Sequence, residues 1–256
     1  MDTSSETRLT AEERSRGRPA ERKDGELCVL FEHACPTAQG RCNFPLESFD
    51  LLGFSLSARH LNLLLSSLPA GPGVVETLRC GPHVCKEGHL SVLLSFLRLK
   101  HGGEGRMPFT SLKTLCLANC DLSEEAVAIF HQLPASLEHL NLSGNRLRSA
   151  SMEGLCLVLS FGWLPALLSL DVSNNPLGPS GVRALAKGLS SSPQPLPLQS
   201  LKLARTKAKA EGIEALCNAL KAKKTTALQT LCPCRERNDG SRCETLGICT
   251  QCRGCA

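Results

Sequence analysis

Cysteine is the residue of this chain with the greatest capacity for chemistry. The 256-residue sequence contains 15 cysteines. Six lie after Leu231, and they are Cys232, Cys234, Cys243, Cys249, Cys252 and Cys255. Thiolates two residues apart, as in Cys249-x-x-Cys252-x-x-Cys255, can share a tetrahedral zinc ion. The other spacings are uneven and match no zinc-ribbon pattern. The sequence therefore favours an irregular, Cys-rich C-terminal tail over residues 232–256, with a metal site and disulfide bonds as alternatives.

A second group of possible metal ligands lies near the N-terminus. Cys28, His33, Cys35 and Cys42 supply three thiols and an imidazole, but their spacing is irregular. The surrounding segment is apolar, and the first unit of a stacked fold needs a cover. We therefore predict an N-terminal capping segment over residues 27–43 and no metal site.

Motifs of the common enzyme classes are missing from the sequence. It contains no G-x-x-x-x-G-K-[ST], no G-x-S-x-G and no H-E-x-x-H. The glycines at 102, 103 and 105 follow a helical pattern and not a strand, which argues against a phosphate-binding loop. We expect a protein that is not an enzyme, with no catalytic residues, no cofactor and no resident metal.

Charge and hydropathy limit the location of the protein. The formal net charge is +5. No run of about eighteen apolar residues is present, so we expect no membrane span. Residues 1–26 are charged, lack the apolar region of a secretory signal and are predicted to form a disordered arm. These features favour the cytoplasm, with the nucleus as the alternative.

A repeated pattern supplies the elements that would position a functional surface. Residues 136–147 read SLEHLNLSGNRL, which follows Leu-x-x-Leu-x-Leu-x-x-Asn-x-Leu. Clear copies begin at 112 and 167, and weaker ones at 46, 75 and 198. Helical patterns follow at 123–133, 179–189 and 210–220. Another copy begins at 228 but stops at Pro233. One strand and one helix cannot bury their apolar faces alone, but stacked copies can.

These copies resemble the leucine-rich repeat family, in particular its ribonuclease-inhibitor-like subclass, over residues 44–231. The resemblance implies an α/β solenoid. We expect a right-handed β-α horseshoe arc with a parallel inner sheet and outer helices. Asn145 and Asn175 would satisfy backbone groups where the chain bends away from the strand, and Cys120 would take the same position in its own copy. Inward leucines at 115, 140, 170 and 201 should align on neighbouring strands.

Alternation along each strand predicts which residues line the concave face. The flanks of the inward leucines are small and polar, with scattered charge. The candidate partner-binding residues are Asp50, Arg79, His139, Asn141, Asp171, Lys202 and Arg205. None of them is an aromatic anchor of the kind found at binding hot spots.

The resemblance implies a non-enzymatic scaffold or regulator that binds a protein partner through the concave face or edges of the arc. Two alternatives are a repeat-only GTPase-activating protein and a ubiquitin-ligase adaptor with a metal-binding Cys-rich tail. Seven lysines and arginines lie between Lys202 and Lys224. No aromatic residue interleaves them, which argues against binding of single-stranded nucleic acid. The sequence identifies neither the partner nor the oligomeric state.

Overall fold

Strands and helices alternate along the chain. The computed structural model describes residues 48–52, 56–67, 75–82, 89–97, 111–221, 228 and 230–232. The strands in this part of the chain are β1 (Ser48–Asp50), β2 (Thr77–Arg79), β3 (Thr114–Cys116), β4 (His139–Asn141), β5 (Ser169–Asp171), β6 (Ser200–Lys202) and β7 (Thr230–Cys232). The helices are α1 (Ala58–Ser67), α2 (His89–Leu97), α3 (Ala126–Phe130), α4 (Ser149–Ser160), α5 (Gly178–Ser191) and α6 (Lys209–Lys221).

The strands form one parallel sheet in which neighbours in sequence are neighbours in space, in the order β1 to β7. The register aligns the central residues, which are Phe49, Leu78, Leu115, Leu140, Leu170, Leu201 and Leu231. Those at 115, 140, 170 and 201 are fully buried. The predicted line of inward aliphatic side chains is therefore confirmed, and with it the α/β solenoid.

Leucine side chains from strands and helices fill one continuous core. The strand motif buries three apolar residues in each clear copy, such as Leu137, Leu140 and Leu142 in the copy containing β4. Each helix adds its own apolar stripe, with Leu155 from α4 and Leu185 from α5 as examples. Because neither layer covers its apolar face alone, the stacking of coils is what buries it.

Helix length varies between coils. The helices at 178–191 and 209–221 match the predicted segments, but α3 spans only five residues where the pattern predicted a helix over 123–133. The coil that contains α3 is short, with 25 residues from Leu115 to Leu140, whereas 30 residues separate Leu140 from Leu170. The shorter connection leaves room for fewer helical residues.

Several predicted segments lie outside the described residues. These are the arm at 1–26, the cap at 27–43 and the tail from residue 233 onward. Strand β7 ends at Cys232, one residue past the predicted end of the repeat domain at 231.

Buried asparagines connect successive coils at the bend after each strand. The Asn145 Oδ1 accepts hydrogen bonds from the backbone N–H groups of Cys120 and Leu122, at 3.0 and 3.1 Å. Its Nδ2 donates to the carbonyl oxygens of Leu117 and Leu142, both at 2.8 Å. Cys120, Leu122 and Leu117 belong to the preceding coil, so one side chain satisfies buried backbone groups of two coils.

Asn175 repeats the arrangement one coil later. Its Oδ1 accepts from the N–H of Leu147 at 3.1 Å, and its Nδ2 donates to Leu142 and Val172, each at 2.9 Å. Thr206, at the next equivalent position, donates its hydroxyl only to Leu203 of its own coil, at 2.9 Å. The sequence-based role of the two asparagines is confirmed, and Thr206 makes a weaker substitute.

We predict that Asn145→Ala lowers the free energy of unfolding by about 3 kcal/mol, because several buried backbone groups lose their partners together. Thr206→Ala should cost about 1 kcal/mol, because it removes a single bond within one coil. Equilibrium denaturation in urea measures both values. Equal losses in the two variants would show that Asn145 does not couple the coils.

Candidate interaction surface

Two parallel rows of side chains cover the face of the sheet that points away from the core, which is the predicted concave face. The central residue of each strand from β1 to β6 is buried, so its two neighbours point away from the core. The first row contains Ser48, Thr77, Thr114, His139, Ser169 and Ser200. The second row contains Asp50, Arg79, Cys116, Asn141, Asp171 and Lys202. We call these two rows the sheet face. All the predicted site residues except Arg205 lie on it.

Ion pairs join neighbouring strands at both ends of the second row. The Arg79 guanidinium lies 3.2 Å from the Asp50 carboxylate. The Lys202 ammonium lies 3.8 Å from the Asp171 carboxylate, whose side chain is 18% exposed. Exposed pairs of this kind contribute less than about 1 kcal/mol. The four charges therefore neutralise one another without fixing the cations strongly, and the sheet face carries little net charge from these groups.

A local hydrogen bond orients three acceptors of the second row. The Oδ1 atoms of Asp50, Asn141 and Asp171 each accept from the backbone N–H two residues further on, at 2.9, 3.0 and 3.0 Å. This turn geometry is a known preference of Asp and Asn. Because one oxygen of each carboxylate is held, the other stays in a defined position toward the neighbouring strand or a ligand.

His139 and Cys116 occupy the middle of the sheet face. His139 is exposed and lies in register between Thr114 and Ser169. Cys116 is half-buried and lies in register between Arg79 and Asn141. No described residue hydrogen bonds to the His139 ring or to the Cys116 thiol. The centre of the face thus offers hydroxyl, imidazole and amide groups with no strong charge.

Arg205 lies in the turn after β6 and not in a strand, so it borders the sheet face. Its φ of 56° is left-handed, and Asn119, Gly144 and Asn174 adopt φ between 56° and 70° at the same place in their coils. A left-handed φ suits glycine and asparagine better than arginine. Arg205 is exposed beside Lys207 and Lys209, which adds positive charge to this edge.

An aromatic cluster lies outside the sheet face, at the C-terminal end of α4. The rings of Phe161 and Trp163 stack with centroids 5.5 Å apart, and His131 meets Trp163 edge-on at 5.7 Å. All three residues are exposed. Sequence reasoning missed this cluster because its members belong neither to the strand motif nor to the helical stripe.

Metal-ligating residues do not gather in the part of the chain that the structure describes. No three His, Cys, Asp or Glu side chains come close enough there to hold a metal ion. The Cys and His residues at 28–42 and the tail cysteines after Cys232 lie outside that part. Within the same described part, no helix is long and apolar enough to cross a membrane.

Comparison with known proteins agrees with the repeat architecture. A family model described as "Leucine Rich repeat" matches residues 134–156 and 165–186. The ribonuclease inhibitor of Mus musculus is 33% identical over 163 residues, which cover 60% of this chain and 32% of that protein. The chain therefore contains leucine-rich repeats, and it is similar in sequence to the ribonuclease inhibitor. Among the described residues, its strands and helices repeat the same unit throughout.

Two further relatives of this leucine-rich repeat protein are much longer chains. The NACHT, LRR and PYD domains-containing protein 4E of Mus musculus is 34% identical over 122 residues, covering 44% of this chain and 12% of that protein. The Tonsoku-like protein of Bos taurus is 37% identical over 86 residues, covering 34% of this chain and 6% of that protein. The chain spans a third or less of the length of these relatives.

Thiol labelling tests which way the second row faces. We expect iodoacetamide to modify Cys116 in the native protein well before Cys120, which is fully buried. Burial raises the pKa of the Cys156 thiol, so Cys156 should form its reactive thiolate only at higher pH and label later than Cys116 at neutral pH. Peptide mapping by mass spectrometry measures each site. Labelling of Cys120 before Cys116 would contradict the alternation of the strand.

Proposed function

We propose that this leucine-rich repeat protein is a non-enzymatic scaffold or regulator that binds a protein partner through its sheet face. The contact residues would be Asp50, Arg79, His139, Asn141, Asp171 and Lys202, with Arg205 at the border. The observation that carries the proposal is the register of the strands, which brings these residues from distant parts of the sequence onto one surface.

The size of the sheet face indicates how a partner would bind. Adjacent strands lie about 4.8 Å apart, so six strands span about 24 Å. Two residues along a strand cover about 7 Å, so the two rows of the sheet face together cover an area of roughly 170 Å². A stable protein interface buries about 800 Å² on each partner. The partner must therefore also contact the turns that follow the strands. Arg205 lies in one of these turns.

The charge pattern favours recognition by hydrogen bonds. The pairs Asp50–Arg79 and Asp171–Lys202 are satisfied within the protein, and the residues between them are neutral or weakly basic. Since the pairs are exposed, a charged group of a partner can replace one member of a pair at little cost in free energy. We expect such a partner to present polar groups of both signs, because a strongly charged surface would meet no net opposite charge on these two rows.

A reducing compartment fits the cysteine content of the repeats. Cys116, Cys156 and Cys217, all within the described coils, are free thiols. Disulfides are rare in the cytosol and common in secreted proteins. We therefore place the protein in the cytoplasm, with the nucleus as the alternative.

A pair of charge variants tests the binding surface. Proximity labelling in cells first identifies the partner, and the purified complex then gives a dissociation constant. We expect His139→Glu and Lys202→Glu each to weaken binding at least tenfold, because both place a negative charge on the proposed contact surface.

Arg183→Glu is the matched control. Arg183 is exposed on α5 and pairs with Glu211 of α6 at 3.2 Å, on the opposite layer from the sheet face. This reversal should change the affinity less than twofold. Equal weakening by all three variants, or unchanged binding by the two sheet-face variants, would overturn the proposal.

A further inference from the structure

Three cations lie in the turn that leads from β6 into α6. Arg205, Lys207 and Lys209 are exposed, and they occupy every second position of this turn. The residues between them face inward, because Thr206 is 2% exposed and Ala208 packs against the core. We call the three cations the cationic turn. Their side chains lie on the outside of the coil, at the border of the sheet face.

Backbone hydrogen bonds fix this turn against the preceding coil. The Ala204 carbonyl accepts from the Asn174 N–H at 2.7 Å, and the Thr206 carbonyl accepts from the Gly178 N–H at 3.0 Å. The three cations are therefore carried on a backbone of defined conformation. Preorganisation of this kind reduces the conformational entropy that is lost when a ligand binds.

The backbone at each of the three cations is left-handed. The φ angle is 56° at Arg205, 56° at Lys207 and 51° at Lys209. A residue with a Cβ atom is disfavoured in this region, and glycine, asparagine and aspartate tolerate it best. Long basic residues here therefore make the fold less stable than asparagine or glycine would. The packing of the coil does not require them, because all three side chains point to solvent.

Other described coils use tolerant residues where they adopt a left-handed φ at these positions. Counted from the central leucine of each strand, the matching residues are Asn119, Gly144 and Asn174 for Arg205, Asp121 for Lys207 and Gly178 for Lys209. Arginine and lysine in the coil of β6 are the exception. Residues that lower stability against the local preference are typical of functional sites.

The cationic turn has no acidic partner among the described residues. Two other cations near the turns are paired, since Lys202 lies 3.8 Å from Asp171 and Arg146 lies 2.6 Å from Asp121. In the part of the chain that the structure describes, no ion pair or side-chain hydrogen bond involves the three cations of the turn. Their positive charges therefore remain available to a ligand.

We propose that the cationic turn binds an extended acidic segment of a protein partner, in which aspartate or glutamate occupies every second position. Alternate side chains of an extended chain point to the same side and repeat at about 6.6 Å. Alternate residues of the turn are at most about 7 Å apart, so successive carboxylates can meet successive cations. Each contact is a charge-assisted hydrogen bond, and the Arg205 guanidinium can hold a carboxylate with two parallel bonds.

The surroundings of the turn favour the carboxylates of a protein over the phosphates of a nucleic acid. Glu211 and Glu214 are exposed in the first two turns of α6, and Asp171 lies on the strand next to β6. A DNA duplex carries one phosphate per about 1.7 Å of its axis, so it needs a broad basic surface. A short acidic segment needs only the three cations of one coil.

This inference rests on the proposed function in one respect, because Arg205 also borders the sheet face. Lys207 and Lys209 lie outside the two rows of that face. A partner that covers the rows must extend over the turns after the strands, and there it would bring its acidic segment to the cations. The inference thus names the chemistry of the partner at this border.

Fluorescence anisotropy with labelled peptides tests the inference on the full-length protein. The first peptide alternates glutamate with serine, and the second has glutamine in place of glutamate. A third contains the residues of the first with all glutamates contiguous. We expect saturable binding of the alternating glutamate peptide, at least tenfold weaker binding of the glutamine peptide and at least threefold weaker binding of the contiguous one. Added salt should weaken the binding, because it screens exposed charges.

Asparagine at the three positions separates binding from folding. The combined variant Arg205→Asn, Lys207→Asn and Lys209→Asn should bind the alternating glutamate peptide at least tenfold more weakly. Its urea midpoint of unfolding should shift upward, because asparagine suits a left-handed φ better. A purely structural role of the cations would shift the midpoint downward. Arg205→Lys keeps the charge and should retain the affinity within threefold.

A matched control removes the same number of charges elsewhere. The combined variant Arg59→Gln, Lys187→Gln and Lys221→Gln replaces three exposed cations of the helical layer. It should change the affinity for the alternating glutamate peptide less than twofold at physiological salt. Circular dichroism establishes that each variant is folded.

Four results would overturn the inference. Equal binding of the alternating glutamate peptide and either of the other two peptides would remove the proposed recognition. Equal weakening by the control variant would show general attraction to a basic protein. Tighter binding of a single-stranded oligonucleotide would assign the turn to nucleic acid. A lower urea midpoint of the asparagine variant would assign the cations to the fold.

The two proposals fail separately. If the alternating glutamate peptide binds at the turn but His139→Glu and Lys202→Glu leave the affinity for the partner unchanged, the sheet-face proposal fails alone. If those two variants weaken binding of the partner but the peptide does not bind, the acidic-segment inference fails alone.

Discussion

The structure depends on the buried side-chain amide of Asn145 and its counterpart Asn175. Each strand is only three residues long, so the chain leaves the sheet almost as soon as it enters, and buried N–H and C=O groups from two coils meet at the bend. One amide satisfies groups in both coils. Since unpaired buried backbone groups are costly, this arrangement fixes the position of one coil against the next. The rows of the sheet face follow from that fixed position.

The same stacking makes the outer layer sensitive to coil length. Successive coils share a strand register, so a coil with fewer residues loses them from its helix. The short α3 is the result. The protein thus offers two chemically different surfaces. The sheet face is polar and internally neutralised, whereas the helical layer exposes the stacked rings of Phe161 and Trp163.

The strand part of the fold could be predicted closely from the sequence, because the leucines at 115, 140 and 170 and the asparagines at 145 and 175 have roles that spacing alone defines. Helix length could not, since the short coil leaves room for only five residues in α3, whatever their helix propensity. The position of Arg205 also escaped prediction, because a left-handed turn at arginine has no local signal. Trp163 was missed because it lies after the end of a helix, where no periodic pattern applies.

Residue-specific amide hydrogen exchange tests the central claim most directly. The N–H groups of Cys120 and Leu122 donate to the Asn145 side chain, whereas those of Leu142 and Val172 donate to strand carbonyls. If the asparagine holds the coils together, all four amides should exchange with similar, strong protection under native conditions. Exchange of Cys120 and Leu122 at the rate of solvent-exposed turn amides, with Leu142 and Val172 still protected, would contradict the account.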